Sequence, residues 1–317
     1  MGATMSHEEA SAHCQNCPAA LSGPFCSACG QKTGHLHRPI WEIAEDFLHT
    51  VVHFDGRLWM TLRSLFLRPG EMTMDWADGR QARYVPPIRL FIFTSLILVI
   101  TLTLSDVTLL RVTPDSKGPA AAVLSDGSVI VPGISLDVLT LAPDAPADPI
   151  VEDARLKQIL GNAGSTPDAD DTRLVTRLSN GVNALAQNPR LSNQVIGKSL
   201  SRFMLLAVPL MAAILWLCYG RRFLAEHVVF ALNTHTFFFI GLLIAVMLVW
   251  ISRGLIPGGW LLALLWTGYS VHFLVALKRM YQQSWFATIM KSALITGTYL
   301  TALLMTGTLL LVNFLRS

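Results

Sequence analysis

Four cysteines near the start of the chain carry the most definite chemistry in the sequence. Cys14 and Cys17 are separated by two residues, Cys26 and Cys29 by two more, and eight residues lie between the pairs. A C-x-x-C knuckle folds back so that both thiolates face one ion while N–H groups of the turn donate to the sulfurs. Two knuckles supply the four soft ligands of a tetrahedral site, for which zinc is expected ahead of iron. With every position filled by cysteine, no coordination site remains for water, so the metal is expected to be structural: a folding staple or a docking module. Gly30 follows the second knuckle, where such a turn favours positive φ. Pro18 stands at the same place after the first, and the spacer is shorter than that of the common template, which points to a minimal ribbon. So short a segment cannot bury a core without the metal. The competing chemistry, two disulfides, requires an oxidising compartment. Cys218, far from the cluster, reads as a small buried hydrophobe.

A second set of residues stands out by context. Glu226, His227, His235 and His272 lie in or beside long apolar stretches, where ionisable groups are expensive. They are the candidate acid, base or ligand groups of an intramembrane enzyme acting on lipid. Glu226 and Asn233 share a helix face, whereas His227 and His235 are offset by about 80° at 100° per residue. Two turns span about 11 Å, so neither pair holds one metal alone. His235 and His272, on adjacent antiparallel helices, are placed to meet. The plainer alternative is interhelical hydrogen bonding, with Glu226 and Lys291 at the membrane interface. Elsewhere, His49 and His53 fall on one helical face near Glu45 and Asp46, without the H-E-x-x-H spelling of a metalloprotease. Asp168, Asp170 and Asp171 lack the order of a calcium loop. No phosphate-binding loop, nucleophile elbow or nucleotide fingerprint is present.

The elements that must position these residues are dictated by charge. Of 317 residues 52% are hydrophobic and only 14% charged, against roughly 25% charged in a soluble domain. Residues 1–89 hold 17 charged side chains and residues 111–202 hold 19, while residues 203–317 hold eight, with Glu226 the sole acid. The net charge of +3 gives no strong nucleic-acid signal. About 20 apolar residues cross a bilayer as a helix, and five stretches qualify: 90–110, 203–220, 228–252, 254–277 and 292–315. The expected fold is therefore an all-α membrane protein of five transmembrane helices, with a small N-terminal zinc ribbon and an amphipathic helical segment.

The chain divides accordingly. Residues 1–37 form the ribbon region, 38–89 the amphipathic or interfacial helices, 90–110 the first span, 111–202 an external loop, and 203–317 a four-helix membrane domain. Within 38–89, apolar residues recur at helical steps from Ile40 to Leu67, with a break near Asp55-Gly56. Tryptophans and arginines there suit a helix in the cytoplasmic headgroup layer, or one packed against the spans. The loop is rich in Pro, Gly, Ala and Asp up to about Pro149, with helical patterns at 150–160 and 172–185. Basic doublets Arg221-Arg222 and Lys278-Arg279 place the N-terminus in the cytoplasm and the C-terminus outside. The first forty residues lack the apolar core of a signal peptide.

Arg68-Pro69-Gly70 and the block from Asp78-Gly79-Arg80 through Arg83-Tyr84-Val85-Pro86-Pro87 to Leu90 resemble a group of bacterial multi-pass membrane proteins known only as a domain of unknown function. Asp55, Thr61-Leu62, the run from Glu226 to His235 and that from Lys278 to Ser284 share the likeness, which covers the ribbon and all five spans but not residues 111–200. The resemblance implies bacterial origin and this architecture, and it supplies no activity. It implies histidine at the position of Asn233, so a double-histidine site is incomplete here. The leading expectation is a non-enzymatic bacterial inner-membrane protein: a zinc-ribbon anchor or adaptor with a cytoplasmic protein partner, or a component that moves a small solute or lipid.

Overall fold

The computed structural model describes residues 13–23, 25–31, 57–114, 134–141, 206–220 and 222–316. His35, His37, His49 and His53, the helical patterns at 150–160 and 172–185, and Asp168, Asp170 and Asp171 lie outside the described residues.

Seven helices and two strands follow in order among the described residues: α1 Arg57–Leu67, α2 Glu71–Ala77, α3 Pro87–Leu104, β1 Val107–Pro114, β2 Ile134–Leu141, α4 Leu206–Tyr219, α5 Leu224–Ile251, α6 Gly258–Tyr281 and α7 Trp285–Arg316. Four helices are long and apolar enough to cross a membrane: α3, α5, α6 and α7, the last over Trp285–Gly307. The remaining expected span, 203–220, is the shorter apolar helix α4. Its fourteen described residues measure about 21 Å at 1.5 Å per residue, short of the roughly 30 Å hydrocarbon layer. Among the described residues the five expected spans correspond to four long helices and the shorter apolar helix α4.

Two further expectations are corrected. The first span does not fill 90–110. It begins at Pro87, where proline's fixed φ suits the first helical turn, and stops at Leu104. The chain then enters β1, which pairs antiparallel with β2 in the register Val107↔Leu141, Thr108↔Thr140, Leu110↔Val138 and Arg111↔Asp137. The fold is mostly helical, with one hairpin at the start of the long loop. Ser105-Asp106 favours leaving the helix, and the Val and Thr residues that follow favour a pleated strand.

The chain forms two compact units. Unit 1 comprises Met1–Phe93, Met211–Phe237 and Ser270–Ala293. It holds the cysteine ribbon, α1, α2, the opening of α3, most of α4, the first half of α5, the second half of α6 and the first turns of α7. Unit 2 comprises Thr94–Leu210, Phe238–Tyr269 and Leu294–Ser317. Within it the hairpin packs on the α5–α6 turn, with Leu139 against Gly258 and Leu141 against Gly254.

The buried core is largely apolar, yet it also takes in polar side chains while large apolar ones stay exposed. In α1 the buried residues are Thr61, Ser64 and Leu65, while Trp59 and Leu67 are 74% and 71% exposed. In α5 His227, Asn233, Thr234, His235 and Thr236 are buried, while Ile244, Leu248, Trp250 and Ile251 are exposed. Buried polar side chains alongside many exposed large apolar ones are compatible with a hydrocarbon surrounding, where packing and hydrogen bonds hold helices together.

Candidate functional site

The four cysteines meet. Their sulfurs all lie within 4.8 Å of one another, the one such cluster of three or more potential metal ligands among the described residues. Cys14 Sγ stands 3.6 Å from Cys29 Sγ, and Cys17 Sγ 3.6 Å from Cys26 Sγ. These are free thiols, since a disulfide measures about 2.05 Å. Four sulfurs at about 2.3 Å from a central ion form a tetrahedron with edges of roughly 3.8 Å, and the observed separations fit that cage. Cys14, Cys17, Cys26 and Cys29 are therefore the residues that would hold a metal ion.

The knuckles are shaped by the backbone. Cys14 N–H donates to Ala19 O, Cys26 N–H to Gln31 O and Gly30 N–H to Cys26 O, at 2.9, 2.8 and 2.8 Å. Gly30 takes φ 71°, the positive value expected after the second knuckle. Without metal the clustered thiols hold their protons unequally. Burial raises Cys29, but the backbone of Gln31, the side chain of Asn16 and the thiols of Cys14 and Cys17 outweigh it and leave it lowered to about 6. The Ala19 backbone lowers Cys17, but burial and hydrogen bonds with Cys26, Cys29 and Cys14 outweigh that and leave it raised to about 12. Metal binding displaces such protons.

The ribbon is seated on the segment that precedes the first span. Gln31 Nε2 donates to Gly79 O at 2.7 Å, and Ala82 N–H donates to Gln31 Oε1 at 3.3 Å. Gly79 has φ 82°, and a Cβ there would collide with the Gln15 side chain. Beside it, Asp75 is a buried hub. Its Oδ1 accepts from Arg80 Nη2 at 2.6 Å and Nε at 3.0 Å, its Oδ2 accepts from the Tyr84 hydroxyl at 2.7 Å, and Arg83 stands 3.6 Å away. The hydrogen bond from Arg80 to Asp75 raises the guanidinium's pKa above its usual value. Burial, then the Asp75 contact, pushes the Tyr84 hydroxyl above the usual tyrosine range. Val85 N–H donates to Thr61 Oγ1 at 2.9 Å, which ties this knot to α1.

The four intramembrane candidates take separate roles. Glu226 accepts from Arg222 at 2.8 Å, one helical turn away. His227 Nδ1 is 2.7 Å from the Tyr281 hydroxyl. His235 Nδ1 donates to Ala231 O in its own helix at 2.7 Å, and its ring meets Phe91 edge-on. His272 Nε2 donates to Leu65 O at 2.9 Å, and its ring stacks on Phe237 at 4.0 Å. Two of them thus work as interhelical clamps, since a carbonyl acceptor fixes the proton of His272 on Nε2. Asn233 acts likewise, donating to Thr73 Oγ1 at 2.9 Å. Buried Asn233 Oδ1 and His272 Nδ1, both without a protein partner, line a cavity of about 10 Å³ with Ser64, Gly70 and Thr73. That volume admits a guest of about the size of one water molecule.

A larger cleft of about 860 Å³ is lined by Cys218, Tyr219, Arg222, Phe223, Glu226, Tyr281, Gln282, Gln283 and Lys291, among others. Lys291 donates to Cys218 O at 3.0 Å and lies 4.3 Å over the Tyr219 ring, which stacks on Tyr281 at 3.6 Å. Gln31, Asp75 and Thr73 carry no signal in the sequence, because a lone polar residue on a helix or loop has no spacing pattern, and Tyr281 is marked there only as part of the run from Lys278 to Ser284.

Residues 55–99 match a family described as Protein of unknown function (DUF3667). The matched stretch contains α1, α2, the Asp75 knot and the opening of the first span. No curated protein and no solved structure matches the chain.

Proposed function

We propose that this is a non-enzymatic protein of a bacterial inner membrane in which a zinc-stapled ribbon faces the cytoplasm and docks a protein partner onto the membrane domain. The observation that carries this reading is the clasp of Gln31 on Gly79 and Ala82. A ribbon tied by hydrogen bonds to the segment leading into the first span is a platform with a defined orientation, suited to presenting a surface. Phe25, 58% exposed on that ribbon, is the apolar group it presents. The closed four-sulfur geometry supports a structural role for the ion, with zinc favoured by a tetrahedral all-thiolate set.

The topology follows the same lines. The four helices long and apolar enough to cross a membrane, with the shorter apolar α4, support five crossings, an N-terminus on the cytoplasmic side and a C-terminus outside. The exposed apolar face of α1 supports its lying in the headgroup layer.

Two measurements test the proposal. Alkaline phosphatase fused after residue 317 is expected to be active outside the cytoplasm, and a cytoplasm-only reporter active there instead would overturn the topology. A photo-reactive phenylalanine at position 25 is expected to give one discrete protein adduct in cells, lost in Cys14→Ser/Cys17→Ser. A full-length, metal-loaded chain that gives no adduct would sink the docking role.

A further inference from the structure

The cleft beside Lys291 lies where four helices reach their ends within unit 1: the last residues of α4, the first turn of α5, the last residue of α6 with the 282–284 connection, and the first turns of α7. Lys291 sits six residues inside α7, roughly 9 Å along the helix. A lysine at that depth is costly unless its charge is answered. Its partners among the described residues are the Cys218 carbonyl and the face of Tyr219, neither of which carries a negative charge. Glu226 is the only acid in residues 203–317, and it is already held by Arg222 at 2.8 Å. Among its described residues the lining therefore has two cations and one anion, and one positive charge is left over.

The rest of the lining fits one kind of guest. Gln283 Oε1 is buried in the cleft wall without a protein partner and wants a hydrogen-bond donor. At the margin Phe223 is 81% exposed, and Trp285 and Phe286 on the neighbouring turn of α7 are exposed as well. Aromatic groups around a cationic cleft at helix ends belong to the level of the lipid headgroups.

We propose that this cleft binds the headgroup of an anionic phospholipid, with the phosphodiester on Lys291 and Arg222 and a headgroup hydroxyl on Gln283. Phosphatidylglycerol carries both features, a single negative phosphodiester and free hydroxyl donors. The shared chemistry with a free phosphate is the anion; the lipid adds the hydroxyls and the acyl chains that the exposed apolar margin receives. The proposal rests on the membrane placement of the helices and is independent of what the ribbon docks.

The test uses the full chain in nanodiscs of phosphatidylcholine doped with phosphatidylglycerol, with bound lipid counted by native mass spectrometry. Wild type is expected to retain phosphatidylglycerol over phosphatidylcholine. Lys291→Gln is expected to weaken that preference about tenfold, as loss of a charge-assisted contact does, and Lys291→Arg to restore most of it. Phe223→Asp, at a position 81% exposed, is expected to weaken it similarly by repelling the phosphate. Equal retention of both lipids, an unchanged preference in a folded Lys291→Gln or Phe223→Asp chain, or displacement of the lipid by millimolar inorganic phosphate would each overturn the assignment. Metal content of the same samples reports on the ribbon separately, so loss of lipid binding with full metal leaves the docking reading standing.

Discussion

Gln31 clasps Gly79: its side-chain amide donates to the Gly79 carbonyl at 2.7 Å and accepts from Ala82 N–H at 3.3 Å. This side chain ties the cysteine ribbon to the loop that leads into the first long apolar helix. The clasp also gives a reason for the glycine. At φ 82° residue 79 holds a left-handed backbone conformation that favours glycine, and the tip of the Gln15 side chain lies where a Cβ would stand.

Replacing Gln31 with Ala removes both hydrogen bonds and is expected to cost about 1–2 kcal/mol. Hydrogen exchange checks this directly: amides of residues 79–82 should lose protection in Gln31→Ala while those in the middle of α5 keep theirs. Unchanged protection at residues 79–82 would show that the ribbon is held by something other than this side chain.

Gly79→Ala is a stronger perturbation, since it forces a side chain onto a left-handed backbone conformation. A loss of at least about 1 kcal/mol is expected. In a thermal melt of detergent-solubilised protein it should lower the midpoint more than Gly23→Ala, a ribbon position where the added Cβ meets nothing within 4 Å. Equal midpoints would refute the left-handed turn at residue 79.

The Asp75 knot predicts a pH dependence. Burial and the Asp75 hydrogen bond raise the Tyr84 hydroxyl above the ordinary tyrosine value of about 10. A group whose folded pKa is raised contributes stability that is complete below its unfolded pKa and is lost as pH climbs through the folded one. Wild type should therefore lose stability above about pH 10 more steeply than Tyr84→Phe. Parallel pH profiles would mean that Tyr84 ionises as freely in the fold as outside it. At neutral pH Asp75→Ala should cost about 1–3 kcal/mol, because it leaves the buried Tyr84 hydroxyl and part of Arg80 unpartnered.

Legibility in the sequence followed the range of the signal. The cysteine spacing is local and strong, and Cys14, Cys17, Cys26 and Cys29 converge as that spacing implies. The long spans declare themselves by absence of charge, which locates α5, α6 and α7 but not their ends. At the first span the same criterion ran past the helix into β1, because Val107–Leu110 is as apolar as a membrane helix and only pairing with β2 makes it a strand. Among polar groups, rarity singled out Glu226, His227, His235 and His272, yet it did not reveal their partners. Leu65 O for His272, Tyr281 for His227 and Thr73 for Asn233 lie far along the chain, and such contacts leave no periodic trace. The Asp75 hub escaped notice because one aspartate among the ordinary polar residues of a short helix announces nothing until Arg80 and Tyr84 fold back onto it.

Metal removal tests how far the ribbon supports the membrane-proximal segment. One ion per chain is expected by elemental analysis, falling to none in Cys14→Ser/Cys17→Ser, since two remaining thiolates do not complete a tetrahedral site. A cage of free thiols this small has little apolar core of its own, so chelation should unfold the ribbon. Unfolding withdraws Gln31 from Gly79 and Ala82, and the exposure should therefore spread to the amides of residues 79–82. It should stop before the middle of α5, whose burial and helical hydrogen bonds do not involve the ribbon. Metal loss that leaves residues 13–31 protected would show that the ribbon folds without its ion, and the staple would have to be abandoned.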